Sequence, residues 1–290
     1  MGRILITGAT GNIGLEVIHY LTELNSTSEI FAGVRNIEKA KQMISDSGRI
    51  QFVEFDFENP ETFNNALKNI DRVFLLRPPH ISNVKKFFTP LIESFIENNV
   101  RQIVFLSVQG ADKSSIIPHN KIERLITSNG LEYIFLRPSY FMQNLTTTLI
   151  ADIIEKRQIL LPSGNAKFNW IDIKNIGEVC AILIEKFSEF KNQTIEITGY
   201  ENENFKTVVD LINQQIKKPI QFESLNPLKF YRVKKKGGME KGMIIVMLLL
   251  HFLPRFQKEP NISNFYEELT EKEPTTLKDF IKRESKKFDA

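Results

Sequence analysis

A doubly wound α/β fold is predicted by two features of the sequence. Short, near-continuous apolar runs alternate with helix-spaced stretches through the first half of the chain, and a glycine-rich turn joins the first run to the first helical stretch. The runs are RILIT, EIFAGV, IQFVEF, RVFLL, QIVFL and EYIFL. They are hydrophobic throughout rather than alternating, as strands are when helices cover both faces of a parallel sheet. Between them, helical spacing appears at Ile13-Val17-Leu21, Ile37 to Met43, Phe63 to Leu67, Phe87 to Ile96 and Ile122 to Ile126. The crossovers are expected to be right-handed.

After Pro138 the rhythm changes. An amphipathic stretch from Tyr140 to about Glu155 leads into LPSGNAKFNWIDI, which reads as a turn and a strand. IGEVCAILIEKF has helical spacing, QTIEIT reads as a strand and FKTVVDLINQQI as a further helix. From Leu225 the chain is more basic, with RVKKKGGMEKG followed by an apolar run near residues 243–253 and a polar closing helix after Pro274. The reading is a nucleotide-binding core over residues 1–158. A smaller C-terminal substrate lobe covers 159–290, with 171–199 returning to the core.

Composition narrows the partners. The 290 residues carry a net charge of only +3, so no global charge points to nucleic acid. Cys180 is the single cysteine, which excludes an intrachain disulfide and a cysteine metal cluster; no metal site is expected. The segment MGRILITGATG enters the strand pattern at once and lacks a signal peptide's layout, so a cytoplasmic protein is expected. The apolar run MIIVMLLLHFL falls short of the ~18–20 residues that span a bilayer, and a buried helix is the reading adopted. The basic run is read as a solvated face. The alternative for both is a membrane-surface or nucleic-acid contact, which is not the expectation here.

The turn is ILITGATGNIG, residues 4–14. Gly8 permits a tight turn off the strand. Gly11 lets backbone approach a pyrophosphate, and Gly14 lets the helix pack closely on the sheet. Thr10, Asn12 and Ile13 lie between them, where free N–H groups at a helix start meet negative charge. A plain glycine-rich turn is the competing reading, but strand, glycines and helix occur together in the order that dinucleotide binding requires. The GxxGxxG spacing resembles that of extended and atypical members of the short-chain dehydrogenase/reductase superfamily. After the next strand, Arg35 stands where an NAD-selective site would carry an acid. A guanidinium accepts a 2′-phosphate that a carboxylate repels, so NADP is expected in preference to NAD; a solvated arginine is the alternative.

SVQGADK, PHNKIERLI, GLEYIFLRPSYFMQNL and WIDIKNIGEVCAIL together resemble the NmrA-like family of NAD(P)-binding proteins. The likeness runs from residue 3 to about 200 and resumes around EKEPTTLKDFI. It implies a Rossmann-type core and either a reductase, as in quinone and triphenylmethane-type reductases, or a cofactor sensor that does not turn over. It also implies an adenine contact at Asp56 and Phe57, with Asp56 as a simple helix-entry residue equally open. Tyr140, Phe141 and Asn144 fall at substrate-side positions. Phe168 and Trp170 are candidates to close the pocket, although each aromatic has core packing as its alternative.

Catalytic members of the superfamily use Tyr-x-x-x-Lys after the fifth strand. In the family's register Glu123 follows the lysine position by four, which puts His119 at the lysine and Ser115 at the tyrosine. Pro118 favours the first helical position and drives Ile117 out of helical geometry, so the helix should start there and leave Ser115 off it. Lys121 lies two residues from His119, roughly 200° around the helix, and should point elsewhere. His119, in the first turn, is expected to be largely neutral and to hold the cofactor ribose or relay a proton, with Glu123 orienting the ring. The alternative is a surface histidine. Leu76 and Arg77 after the fourth strand, and Ser107 after the fifth, should flank the nicotinamide half. Tyr140 is the phenol that stands in for the missing proton donor.

The expectation is therefore an NADPH-dependent reductase of a quinone-like or other conjugated small-molecule acceptor, with His119 and Tyr140 as its catalytic candidates. The alternative is a non-catalytic NADP(H) redox sensor. A monomer or homodimer is expected, with no nucleic-acid or membrane partner.

Overall fold

The computed structural model describes residues 2–24, 27–44, 48–115 and 117–289. The elements in chain order are β1 (Arg3–Ile6), α1 (Asn12–Glu23), β2 (Glu29–Val34), α2 (Ile37–Met43), β3 (Ile50–Glu54) and α3 (Phe63–Leu67). Then come β4 (Arg72–Leu76), α4 (Val84–Glu97), β5 (Gln102–Leu106), α5 (Pro118–Ser128) and β6 (Glu132–Pro138). Next are β7 (Tyr140–Phe141), α6 (Ile150–Lys156), β8 (Gln158–Leu161), β9 (Phe168–Ile171), α7 (Ile173–Glu185), α8 (Phe187–Phe190) and β10 (Gln193–Ile197). The chain closes with β11 (Asn202–Glu203), α9 (Phe205–Asn213), β12 (Gln221–Ser224), α10 (Pro227–Lys236), α11 (Lys241–Phe252), α12 (Phe265–Thr270) and α13 (Leu277–Phe288).

Among the described residues these elements divide into two compact units. The first holds the chain up to Pro138 together with Ile173–Ile197 and Glu268–Glu271; the second holds Ser139–Asp172, Thr198–Glu267 and the chain from Lys272. The division thus falls at Pro138/Ser139 rather than near residue 158. Ser139 belongs to the second unit through its hydroxyl, which donates to Asn169 Oδ1 at 2.7 Å. Ile173–Ile197 returns to the first unit.

In the first unit, seven strands form one sheet in the order β10-β6-β5-β4-β1-β2-β3, every neighbouring pair parallel. Each of the six expected strands is present. Strand order reverses between β1 and β4, and this switch point is where such sheets bind ligands, at the carboxyl ends of the strands. Leu5, Val73, Leu75, Ile103 and Phe105 on the strands pack into one buried cluster with Phe88, Leu91 and Phe95 on α4 and Ile122 and Ile126 on α5. Burying each such side chain contributes about 1.5–3 kcal/mol, which is what fixes α4 and α5 to this face.

The second unit carries a three-stranded sheet, β11-β9-β7, and a parallel pair, β12-β8. The amphipathic stretch from Tyr140 to Glu155 is not one helix: β7 and a 3₁₀ turn over Met142–Leu145 precede α6. Thr146 and Thr147 explain the break, because both hydroxyls turn back to donate to the Gln143 carbonyl (3.2 and 2.8 Å) instead of lying on a helix wall.

The apolar run departs from expectation as well. It forms α11, but only Ile244, Met247 and His251 are buried, while Val246, Leu249 and Leu250 are 57%, 52% and 45% exposed. A two-turn stripe of contacts is all the unit offers this helix, and apolar residues all round it leave its outer side uncovered.

Candidate functional site

The glycine turn is shaped by backbone sterics. Gly8 has φ +63°, in the left-handed region, and a Cβ there would lie 3.1 Å from Leu76 Cδ2. At Gly14 a Cβ would stand 2.3 Å from the Gly8 carbonyl oxygen and 2.8 Å from Ala9 Cα, so the first turn of α1 presses on the loop itself more than on the sheet. Thr7 locks the turn to the neighbouring strand: its hydroxyl donates to the Phe74 carbonyl (3.0 Å) and accepts from the Leu76 N–H (2.9 Å). Gly11 is the N-cap of α1; it supplies no side chain to the helix's open N–H groups, and no acid occupies the first turn. Thr10 is half-buried and Asn12 exposed, whereas the Ile13 side chain is buried, which leaves only its N–H for a ligand. This cradle fits a pyrophosphate: a helix start without a side-chain cap, a positive helix end, and no room for a Cβ at Gly14.

Arg35 follows β2 and is exposed, and the next residue, Asn36, caps α2 by accepting from the Lys39 N–H at 2.8 Å. Asp56 serves its own turn. Its carboxylate accepts from the Glu58 N–H (3.0 Å) and its N–H donates to Thr62 Oγ1 (3.1 Å), while Asn59 caps the helical turn that follows. Phe57 corrects the adenine-contact expectation for its ring: it is buried edge-on to Phe55 at 5.0 Å and against Phe88 at 5.4 Å.

Around the ends of β4 and β5 the site is built from side chains. Arg77 is held by three carbonyls, its Nη1 donating to Pro78 (2.9 Å), Pro79 (3.1 Å) and Ile81 (2.7 Å). Its Nε lies 3.4 Å from His119 Nε2. A guanidinium can only donate, so Nε2 accepts and the imidazole is neutral with its proton on Nδ1. Burial, then the Arg77 charge, push His119 down to about 3. The ring also stacks on Phe105 at 5.9 Å. Pro118 opens α5 and Ile117 is extended, as the sequence requires; Ser115 lies off the helix and Lys121 is exposed.

Glu123 does not orient His119. Its Oε1 accepts from Ser107 Oγ (2.6 Å) and from Arg137 Nε (3.0 Å), and its Oε2 from Arg137 Nη2 (2.6 Å). Arg137 reaches Asp112 as well, at 3.0 Å, and the bond to Glu123 is the main cause of its raised pKa. Ser107 is buried, with its hydroxyl proton already given to Glu123. The sequence reading missed Arg137 and Asp112, although LRPS and GADK contain them. A buried acid on an amphipathic helix was the available signal.

The remaining candidates lie in the second unit. Tyr140 packs against Trp170 (4.8 Å), Phe168 (5.3 Å) and Phe205 (6.0 Å). Its hydroxyl is 3.0 Å from His251 Nε2. His251 Nδ1 faces the Met247 carbonyl at 2.8 Å, so that nitrogen carries the proton and the phenol donates to Nε2. Burial raises the Tyr140 phenol and lowers His251 to about 4. Tyr140 is therefore engaged within its own unit rather than presented as a free donor, and His251 had no sequence signal beyond its place in an apolar run. Trp170 is a correction: it is fully buried and its indole N–H donates to the Glu203 carbonyl at 2.9 Å, while Phe168 is buried beside it. Both are core residues. Phe141 and Asn144 are half-buried.

Fold and turn together define a Rossmann-type α/β protein. The NmrA-like family model matches residues 1–281, and the chain belongs to that family. It is 31% identical to prestalk A differentiation protein A of Dictyostelium discoideum, over 96% of this chain and 91% of that one. It is 24% identical to the NAD(P)H azoreductase of Xenophilus azovorans, over 99% of each. Among solved structures, the Citrobacter triphenylmethane reductase complexed with NADP(H) superposes with a TM-score of 0.84 at 19% identity, over 97% of this chain and 99% of that one. The Escherichia coli quinone oxidoreductase complexed with NADPH gives the same TM-score, identity and coverage.

Proposed function

We propose that this chain binds NADP(H) on the 8–14 turn and passes hydride to a flat, conjugated acceptor such as a quinone. The observation that carries the reading is the cradle at Gly8 and Gly14, where backbone rather than side chain would meet the phosphates. The exposed Arg35 after β2 supports NADP through its attraction for a 2′-phosphate, and the azoreductase and quinone oxidoreductase relatives support a reductase.

When bound, the cofactor supplies the hydride. The protein holds and orients. Hydride transfer to a conjugated acceptor depends on positioning more than on a strong acid. That suits a site whose histidine is neutral: His119 offers one N–H from Nδ1, for a ribose hydroxyl or an acceptor oxygen. A quinone gains the hydride and takes its proton from solvent, leaving as hydroquinone while NADPH becomes NADP⁺.

The test is NADPH oxidation across a panel of quinones, azo dyes and enones. Acceptor-dependent turnover is expected, reduced about 10–100-fold in His119→Ala. No turnover with any acceptor would sink the reductase reading.

The relative named for prestalk differentiation favours a second reading, a redox sensor that binds the cofactor without turnover. It requires different affinities for NADP⁺ and NADPH, because a ligand shifts a conformation only by its differential affinity. Equal affinities would exclude it.

A further inference from the structure

The outer side of α11 poses a problem that the proposed reaction does not absorb. Seven of the eleven large hydrophobic residues exposed among those described fall between 243 and 256: Met243, Ile245, Val246, Leu249, Leu250 and Leu253, and then Phe256 at 73%. A patch so concentrated marks an interaction site. No charged side chain interrupts the run from 242 to 250.

Charge is confined to the two ends, where it is mostly positive. Lys235, Lys236 and Lys241 are exposed at the amino end, and Arg255 and Lys258 beyond the carboxyl end. Nearby acids are few. Glu240 is exposed at the helix start, while Glu259 is already paired with Lys167 at 2.9 Å. Lys234 belongs to the interior, where it is ion-paired with Asp152.

We infer that this face is a docking surface for an anionic phospholipid bilayer, with α11 lying in the plane of the headgroups. Apolar residues would enter the acyl boundary while the lysines and arginines at both ends meet lipid phosphates. The helix cannot span. Its twelve residues measure about 18 Å against a hydrocarbon core of about 30 Å, and no helix among the described residues is long and apolar enough to cross a membrane. A second copy of the chain is disfavoured by the same charges: both helix ends are basic, so parallel or antiparallel pairing of two α11 faces sets cation against cation. The proposal departs from the expectation of no membrane partner, which rested on α11 being a buried helix.

The test is sedimentation of the full chain with vesicles of phosphatidylcholine alone, and of phosphatidylcholine with phosphatidylserine. Binding is expected to the anionic vesicles and to fall with salt. Each lysine removed should weaken partitioning by about fivefold, so Lys235→Gln with Lys236→Gln costs about twenty-fivefold. Val246→Glu with Leu250→Glu, at positions already in solvent, should abolish it while leaving the thermal transition in place. Binding no better to anionic than to neutral vesicles would overturn the proposal, as would full binding by both variants. Ultracentrifugation of the same samples identifies the rival occupant: a dimer that Val246→Glu with Leu250→Glu dissociates, without vesicle binding in the parent, makes the face a self-interface and overturns the proposal too.

Discussion

The two halves of the candidate site are made in different ways. The turn at 8–14 is fixed by contacts between residues a few positions apart: a left-handed Gly8, and a Gly14 whose missing Cβ leaves the Gly8 carbonyl its space. The end around His119 is fixed by partners far away in sequence. Arg77 reaches the histidine across 42 positions, and Glu123 gathers Ser107 and Arg137. One half is a backbone shape that tolerates no addition. The other is a set of side-chain bonds that tolerates no deletion.

The largest expected effect breaks the first half. Gly14→Val should cost cofactor binding on the order of a hundredfold or more, since the neighbours it would strike are backbone atoms that cannot swing away. Calorimetric titration checks it. In the second half, Glu123→Ala strands the Arg137 charge and the Ser107 hydroxyl, and should lower unfolding stability by roughly 3–5 kcal/mol. Denaturant unfolding reads this directly, and an unchanged midpoint would show that the cluster contributes little. Arg35→Ala acts at the rim of the turn. It should cut the preference for NADPH over NADH by about tenfold, as the loss of one charge-assisted contact to a phosphate predicts.

These differences also explain what could be read from the sequence. Every strand of the first-unit sheet, the start of α5 at Pro118 and the glycine turn were legible because apolar period, proline geometry and glycine spacing are local signals. Glu123 was legible as a site residue but not in its role: position 119 is its neighbour on the helix, yet its bonds go to Ser107, just after β5, and to Arg137 on β6. The aromatics of the second unit stayed open between two readings for the same reason. Trp170 and Phe168 lie in a sequence that fits a pocket wall as well as a core strand, and only tertiary packing separates the two. The apolar run of α11 was read as buried because composition alone does not say which face a unit has room to cover.

Smaller effects concern protonation. His251 is held near 4 and His119 near 3, both below the usual histidine value of about 6.5. Between the usual value and these depressed ones the unfolded chain binds more protons, so stability falls as pH drops through that window and is fully present above it. For the buried His251 the loss is about 1.4 kcal/mol per pH unit. A Tyr140→Phe, His251→Leu pair should flatten the acid limb of a Tm–pH profile, whereas an unchanged limb would mean that His251 does not titrate with unfolding. Activity should show no ionisation of His119 between pH 5 and 8; a step in that range that disappears in His119→Ala would contradict the neutral imidazole.

The central claim is that the backbone cradle of the first unit is the cofactor's seat, and calorimetric titration of NADPH into the parent chain and Gly14→Val tests it most directly. The account predicts one NADPH bound per chain in the parent and no measurable heat in the variant, with the variant's fold confirmed by circular dichroism. Absence of binding in the parent, or equal binding by the two proteins, would contradict it.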